Sequence, residues 1–145
     1  MIADRESVRI LGVRVDNVTT AETLALIEGY IAEGHPHQIA TVNPEFVMRA
    51  QHDGDFHVVL DECALNLPDG VGLLWASRLL GRPLHERVAG SDLVPLIARL
   101  SAARGYRLYL LGAAPGVAEK AAAVLMRDYP GLQVVGTYAG SPDPA

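Results

Sequence analysis

Asp69 stands between a short apolar run, Ala64–Leu67, and a glycine that opens a helical pattern. A carboxylate at such a junction could take a proton from a bound hydroxyl as a general base. Pro68-Asp69-Gly70 is also a favourable turn sequence, so the same aspartate could serve only the backbone. Thr41 and Asn43 leave a second apolar run, Gln38–Val42, and strand alternation points them the same way. Both offer hydrogen bonds suited to a sugar or a pyrophosphate. Asn43 could instead cap the helix that Pro44 begins, and Thr41 could satisfy backbone. Arg87, in Glu86-Arg87-Val88-Ala89-Gly90-Ser91, could clamp a diphosphate with its fork of N–H groups, or pair with Glu86 or Asp92 at the surface. Gly112-Ala113-Ala114-Pro115-Gly116 joins a strand pattern to a helical one. Amides at a helix start can hold an anion, and tight strand–helix packing needs the same small residues.

Other groups carry less. The glycine loop matches neither the dinucleotide fingerprint nor the P-loop, which needs Gly-Lys-Ser/Thr. Asp53-Gly54-Asp55 has the short form of a metal–nucleotide motif, but it lies between helical patterns and reads as a turn and N-cap. The histidines, His35, His37, His52, His57 and His85, show no metal-binding spacing on one helix face. Cys63 follows an apolar helix and reads as a packed thiol. Gly-x-Ser-x-Gly is absent.

The elements that would position these residues follow from periodicity and punctuation. Val8–Leu11 and Val13–Val15 flank Gly12 as two short strands or a bent hairpin. Thr19-Thr20-Ala21-Glu22 is a capping box opening a helix with Leu24, Ile27 and Ile31 on one face, closed near Gly34. The strand Gln38–Val42 precedes helical segments Glu45–Gln51 and Asp55–Cys63. The strand Ala64–Leu67 precedes a helix, Val71–Leu80, that Gly81 ends. Ser91 is expected to cap a helix running to about Arg104. Tyr106–Leu111 is apolar enough to be a central strand, followed by helix Val117–Tyr129 and a last strand from Gln133. Alternation of this kind predicts one α/β domain over residues 1–145, Rossmann-like, with a mostly parallel sheet and helices on both faces. Ligands of such sheets bind beyond the carboxyl ends of the strands, where the Thr41, Asp69 and Gly112 segments fall.

Composition narrows the class. The 145 residues are half hydrophobic and one-fifth charged, with a net charge of −5. That disfavours disorder and a duplex nucleic-acid partner. A lone cysteine forms no internal disulfide, and a reducing, cytoplasmic compartment is expected. No run reaches the length of a membrane span, and the N-terminus does not read as a signal peptide. Charge is uneven: residues 1–69 carry net −8 and residues 70–107 net +4, and eleven of the twelve basic residues are arginine, the better fork for phosphates and carboxylates.

Five segments in order carry a resemblance: Thr41-Val42-Asn43-Pro44-Glu45, Leu67-Pro68-Asp69-Gly70-Val71-Gly72, Glu86-Arg87-Val88-Ala89-Gly90-Ser91-Asp92-Leu93, Tyr109-Leu110-Leu111-Gly112-Ala113-Ala114-Pro115-Gly116, and Tyr129-Pro130-Gly131-Leu132-Gln133-Val134-Val135-Gly136. Over roughly residues 8–140 the chain resembles the WecG/TagA/CpsF glycosyltransferases. The resemblance implies an inverting, metal-independent transferase without cofactor. It would move N-acetylmannosamine or its uronic acid from a UDP donor to N-acetylglucosamine on undecaprenyl diphosphate, for cell-surface polysaccharides such as teichoic acid. By motif, Asp69 resembles the general base, Thr41 and Asn43 substrate-positioning residues, and Arg87 the arginine facing the diphosphate. A nucleotide contact by Gly112, Ala113, Pro115 and Gly116 is a further expectation. The family continues beyond Gly136–Gly140, so the chain is expected to be an N-terminal portion with little activity alone, an open sheet edge that favours self-association, and membrane contact supplied by the other half at the inner face of the cell membrane. The alternative is a non-enzymatic remnant that binds nucleotide or a partner.

Overall fold

The structure, a computed structural model, describes residues 5–140. Two compact units divide the chain, Met1–Leu93 and Val94–Ala145. The fold is α/β and Rossmann-like, with helices alternating with short strands. Among the described residues the strands pair as three two-stranded ladders, one antiparallel and two parallel.

In the first unit, β1 (Ser7–Ile10) and β2 (Val13–Asp16) make an antiparallel hairpin. Its two-residue turn is Leu11-Gly12, both with positive φ, 47° and 84°. A primed turn of this kind follows the strand twist, but it places a leucine where asparagine or glycine is more at ease. Helix α1 (Thr20–Glu33) opens with the expected capping box. Thr19 Oγ1 accepts from Glu22 N at 3.2 Å, and Thr19 N donates to Glu22 Oε2 at 2.8 Å. Gly34, in the left-handed region, closes it. The buried face differs from the expected one: Thr23 and Tyr30 are buried, while Ile31 is 46% exposed. Thr23 can be buried because its hydroxyl donates to Thr19 O at 2.8 Å.

Strand β3 (Ile39–Val42) leads through α2 (Pro44–Ala50) and α3 (Gly54–Glu62) to β4 (Leu65–Pro68), which pairs with it in parallel, Thr41 opposite Leu67 and Val42 opposite Pro68. Asn43 and Asp53 cap the two helices by accepting from Phe46 N and Phe56 N at 2.8 and 3.0 Å. Asp53-Gly54-Asp55 is thus the expected turn and N-cap, and the cap's N–H groups, Phe56 foremost, hold the Asp53 carboxyl below its usual range. Every residue of β4 is buried. The core gathers Val8, Ile10, Val13 and Val15 of the hairpin with Val42, Val47, Leu60, Leu73 and Leu84. Truncating a fully buried leucine such as Leu60 to alanine would cost about 2–5 kcal/mol.

One polar residue sits in that core. Asn66 is fully buried. Its N–H donates to Asp16 Oδ2 at 2.7 Å, and its amide donates to Arg14 O and Leu60 O at 3.0 and 2.8 Å. Three bonds tie the hairpin and α3 to β4, and they satisfy the N–H donors of Asn66. Cys63 is the packed thiol expected. It is buried, it donates to Val59 O at 3.2 Å, and burial pushes its pKa up.

Helix α4 (Val71–Leu79) follows β4, and α5 (Gly90–Arg104) crosses from the first unit to the second. Helix α5 begins at Gly90 rather than after a Ser91 cap. In the second unit, β5 (Arg107–Leu111), α6 (Val117–Asp128) and β6 (Gln133–Tyr138) form a parallel β-α-β unit, with a register irregularity at Leu108/Tyr109. Ala98, Leu125 and Leu132 form its core. Strand β5 is not central among the described residues. It pairs only with β6, and Tyr109 and Leu111 are exposed. Apolar composition marked a strand here but could not count its neighbours. None of the described helices is long and apolar enough to cross a membrane.

Candidate functional site

The carboxyl ends of β3 and β4 lie side by side because the strands are parallel and in register. Thr41 and Asn43 leave one, Asp69 the other. The turn after β4 is fixed through the backbone: Asp69 N–H donates to Val42 O at 2.8 Å and to Leu67 O at 3.0 Å. A third segment, residues 81–90, closes against this end, where Val88 N–H donates to Pro68 O at 2.9 Å.

That segment contains no regular structure before α5, yet it is held at several points. Leu84 N–H donates to the buried Ser77 hydroxyl at 3.0 Å, and His85 N–H donates to Asn17 Oδ1 at 2.9 Å. Glu86 accepts from Thr20 N at 3.3 Å and from Thr20 Oγ1. Val88 and Ala89 are buried. Arg87 therefore leaves a backbone pinned on both sides, with its side chain about half exposed.

Asp69 is the meeting point. Its Oδ2 accepts from Gly90 N–H at 3.1 Å, at the start of α5, and its Oδ1 lies 3.6 Å from an Arg87 guanidinium nitrogen. A carboxylate at a helix start is favoured by the backbone dipoles there. Neither Glu86 nor Asp92, the surface partners considered for Arg87, takes this place. Thr41 joins them: a Cβ built on Gly90 would lie 2.9 Å from Thr41 Cγ2. Only glycine lets the start of α5 come this close to β3. A second close approach fixes the turn from the other side, where Pro44 meets α4. A Cβ on Gly70 would lie 2.9 Å from Pro44 Cδ, and one on Gly72 3.1 Å from Pro44 Cγ.

Asn43 performs the structural part of its two expected roles, capping α2 through Oδ1. Its amide nitrogen is the group left for a ligand. The Gly112–Gly116 loop belongs to the second unit. There Ala113 and Gly116 have positive φ, 64° and 85°, and Gly116, the N-cap of α6, gives it no side-chain cap. Among the described residues no trio of metal-ligating side chains gathers around Asp69. Glu86, Asn17, Thr20 and Ser77, which hold the Arg87 segment, were not marked in the sequence as site-supporting. Their partners lie up to 68 positions away, beyond the reach of local pattern.

Comparison with known proteins identifies the family. Residues 8–145 match the family described as glycosyl transferase WecG/TagA/CpsF. Among similar curated proteins is the N-acetylglucosaminyldiphosphoundecaprenol N-acetyl-beta-D-mannosaminyltransferase of Bacillus spizizenii, 31% identical over 126 residues, which covers 87% of this chain and 49% of the relative. The protein of the same name from Bacillus subtilis is 33% identical over 102 residues, covering 70% and 40%. That from Staphylococcus aureus is 30% identical over 127 residues, covering 86% and 50%. The chain thus spans about half the length of the curated relatives it matches, or less. With the family matched over nearly the whole chain, this protein belongs to the WecG/TagA/CpsF glycosyltransferases.

Proposed function

We infer that this chain carries the acceptor-activating part of an inverting, metal-independent glycosyltransferase. The donor is a UDP-linked N-acetylmannosamine-type sugar, and the acceptor is N-acetylglucosamine on a polyprenyl diphosphate, used at the inner face of the cell membrane. The observation that carries this reading is the position of Asp69 at the end of β4, with one oxygen held by the start of α5 and the other beside Arg87. In the reaction, Asp69 takes the proton of the acceptor hydroxyl as that oxygen forms its bond to the anomeric carbon. The bond from the anomeric carbon to the UDP oxygen breaks, and its electron pair leaves with the diphosphate. Arg87 turns its fork to the oxygens where that charge collects. Thr41 and the Asn43 amide orient the sugar hydroxyls. The Gly112–Gly116 loop offers backbone amides at a helix start for the nucleotide. Membrane contact and self-association belong to the same reading.

Calorimetric titration with UDP tests the donor side. Saturable binding that Arg87→Ala weakens is expected; a folded chain that takes up no UDP refutes the assignment of Arg87 and the loop. Asp69→Asn tests the base. In any transfer assay with measurable wild-type turnover, the rate should fall by about 10²–10⁴, the usual worth of general-base catalysis, with UDP affinity kept. Retained turnover would remove Asp69 from the mechanism.

A further inference from the structure

At the amino end of β3, the opposite end of the strand from Thr41 and Asn43, three side chains converge that the transfer chemistry does not use. Glu33 is the last residue of α1, and His35 and His37 lie in the connector that follows. One ligand atom from each lies within 4.8 Å of the other two. Glu33 Oε2 is 3.2 Å from His35 Nε2 and 2.8 Å from His37 Nε2. In a tetrahedral site with metal–ligand bonds near 2.0–2.2 Å, ligand atoms stand about 3.3 Å apart. The two distances from Glu33 are close to that, and the two imidazole nitrogens lie within 4.8 Å of each other.

We propose that Glu33, His35 and His37 form a binding site for a divalent transition cation of the zinc class. A plain carboxylate–imidazole ion pair would align its donor with its acceptor. Here His37 Nε2 is buried and makes no hydrogen bond, although Glu33 Oε2 is 2.8 Å away. Short spacing without alignment is the relation of two atoms that face a shared third centre. Two imidazole nitrogens and one carboxylate oxygen suit a borderline metal such as zinc better than calcium or magnesium, which prefer all-oxygen shells.

The backbone is prepared for the cluster. Gly34 has φ of 74°, which turns the chain back at the end of α1, and Pro36, between the two histidines, has its φ fixed by its ring. Tyr30 stacks on His37 at 4.2 Å, and the two imidazoles lie 4.4 Å apart. A cavity of about 200 Å³, lined by Ile27, Tyr30, Ile31, His35, His37 and Ile39, adjoins the cluster. It leaves room for water or a small ligand in the fourth position. Bound metal would clamp the end of α1 to the entry of β3. This is a site apart from the transfer reaction, so it stands independently of the function proposed above.

The test is titration of the chelator-stripped chain with Zn²⁺ near neutral pH, by calorimetry and by imidazole ¹H–¹⁵N correlation spectra. One equivalent should bind, with the His35 and His37 signals shifted and those of His52 unmoved. Glu33→Gln and His35→Ala change exposed side chains and should leave folding intact, while each weakens binding about tenfold or more. His37→Ala should do the same, and His52→Ala should not. Failure of the folded chain to bind Zn²⁺ would overturn the proposal. So would binding that is indifferent to Glu33→Gln and His35→Ala.

Discussion

The close approach of α5 to β3 makes Gly90→Ala the most informative single change. The new methyl would lie 2.9 Å from Thr41 Cγ2, 3.5 Å from its Cβ and 3.6 Å from its Oγ1. Carbon atoms prefer about 3.5–4.0 Å, so the helix start or the threonine must give way by about half an ångström. Overpacking of this kind costs about 1–3 kcal/mol. The same shift lengthens the 3.1 Å bond from the residue-90 N–H to Asp69, a contact to a charged group worth about 1.5–3 kcal/mol when fully formed. Against this stands a gain of about 0.4–1 kcal/mol, because alanine is less free than glycine in the unfolded chain. The clash and the weakened bond win, and a net loss of about 1–2 kcal/mol is expected. Thr41→Ser removes the methyl that is struck, so the double variant should recover about 1 kcal/mol of that loss. Urea titrations of all four chains, followed by far-UV circular dichroism, measure this. The lone tryptophan, Trp75, is exposed and would report the core poorly. A Gly90→Ala chain as stable as the parent would refute the reasoning. So would a loss that simply adds to that of Thr41→Ser.

Three further outcomes follow from local features. Leu11 holds φ of 47° and is 61% exposed, so Leu11→Asn should stabilise by about 0.5 kcal/mol in the same titration, and a loss would count against the turn argument. The Asp53 carboxyl is lowered from 3.8, chiefly by the Phe56 N–H. Its contribution is therefore present above the unfolded value and is lost as pH falls through the lower folded one. Asp53→Asn should flatten the acid limb of the stability–pH curve below about pH 4 and leave the neutral region's slope unchanged. Cys63, buried and with its pKa raised, should react slowly with iodoacetamide in the native chain and readily in urea; equal rates would contradict the packing.

Legibility in the sequence tracked how local each interaction is. The capping box at Thr19 and Glu22, the Asn43-Pro44 start and the Asp53 cap were readable because donor and acceptor lie within three residues. Asp69 and Arg87 were recognisable as candidates, but their pairing was not, since eighteen positions of chain and the whole of α4 separate them. Ser91 looked like a better cap than glycine. The helix starts at Gly90 instead because its N–H meets Asp69 and its missing side chain admits Thr41. The apolar period of α1 named Ile31, but position 30 carries the buried ring. The histidines have no helical metal-binding spacing, whereas Glu33, His35 and His37 meet across a left-handed glycine that ends the helix. Asn66 was invisible because its partners are in the hairpin and α3.

Pro44 wedged against Gly70 and Gly72 also bears on how this protein can change over time. Two alternate positions of one turn face the same proline ring, while Val71 between them is 58% exposed. A saturation library across residues 69–72 should therefore give a comb: almost no survivors at 70, few beyond the smallest side chains at 72, and many at 71. Escape from the comb requires a smaller residue at 44, at the expense of the first position of α2. Mutational drift at the mouth of β4 is thus confined to correlated steps that span two separate segments of the chain.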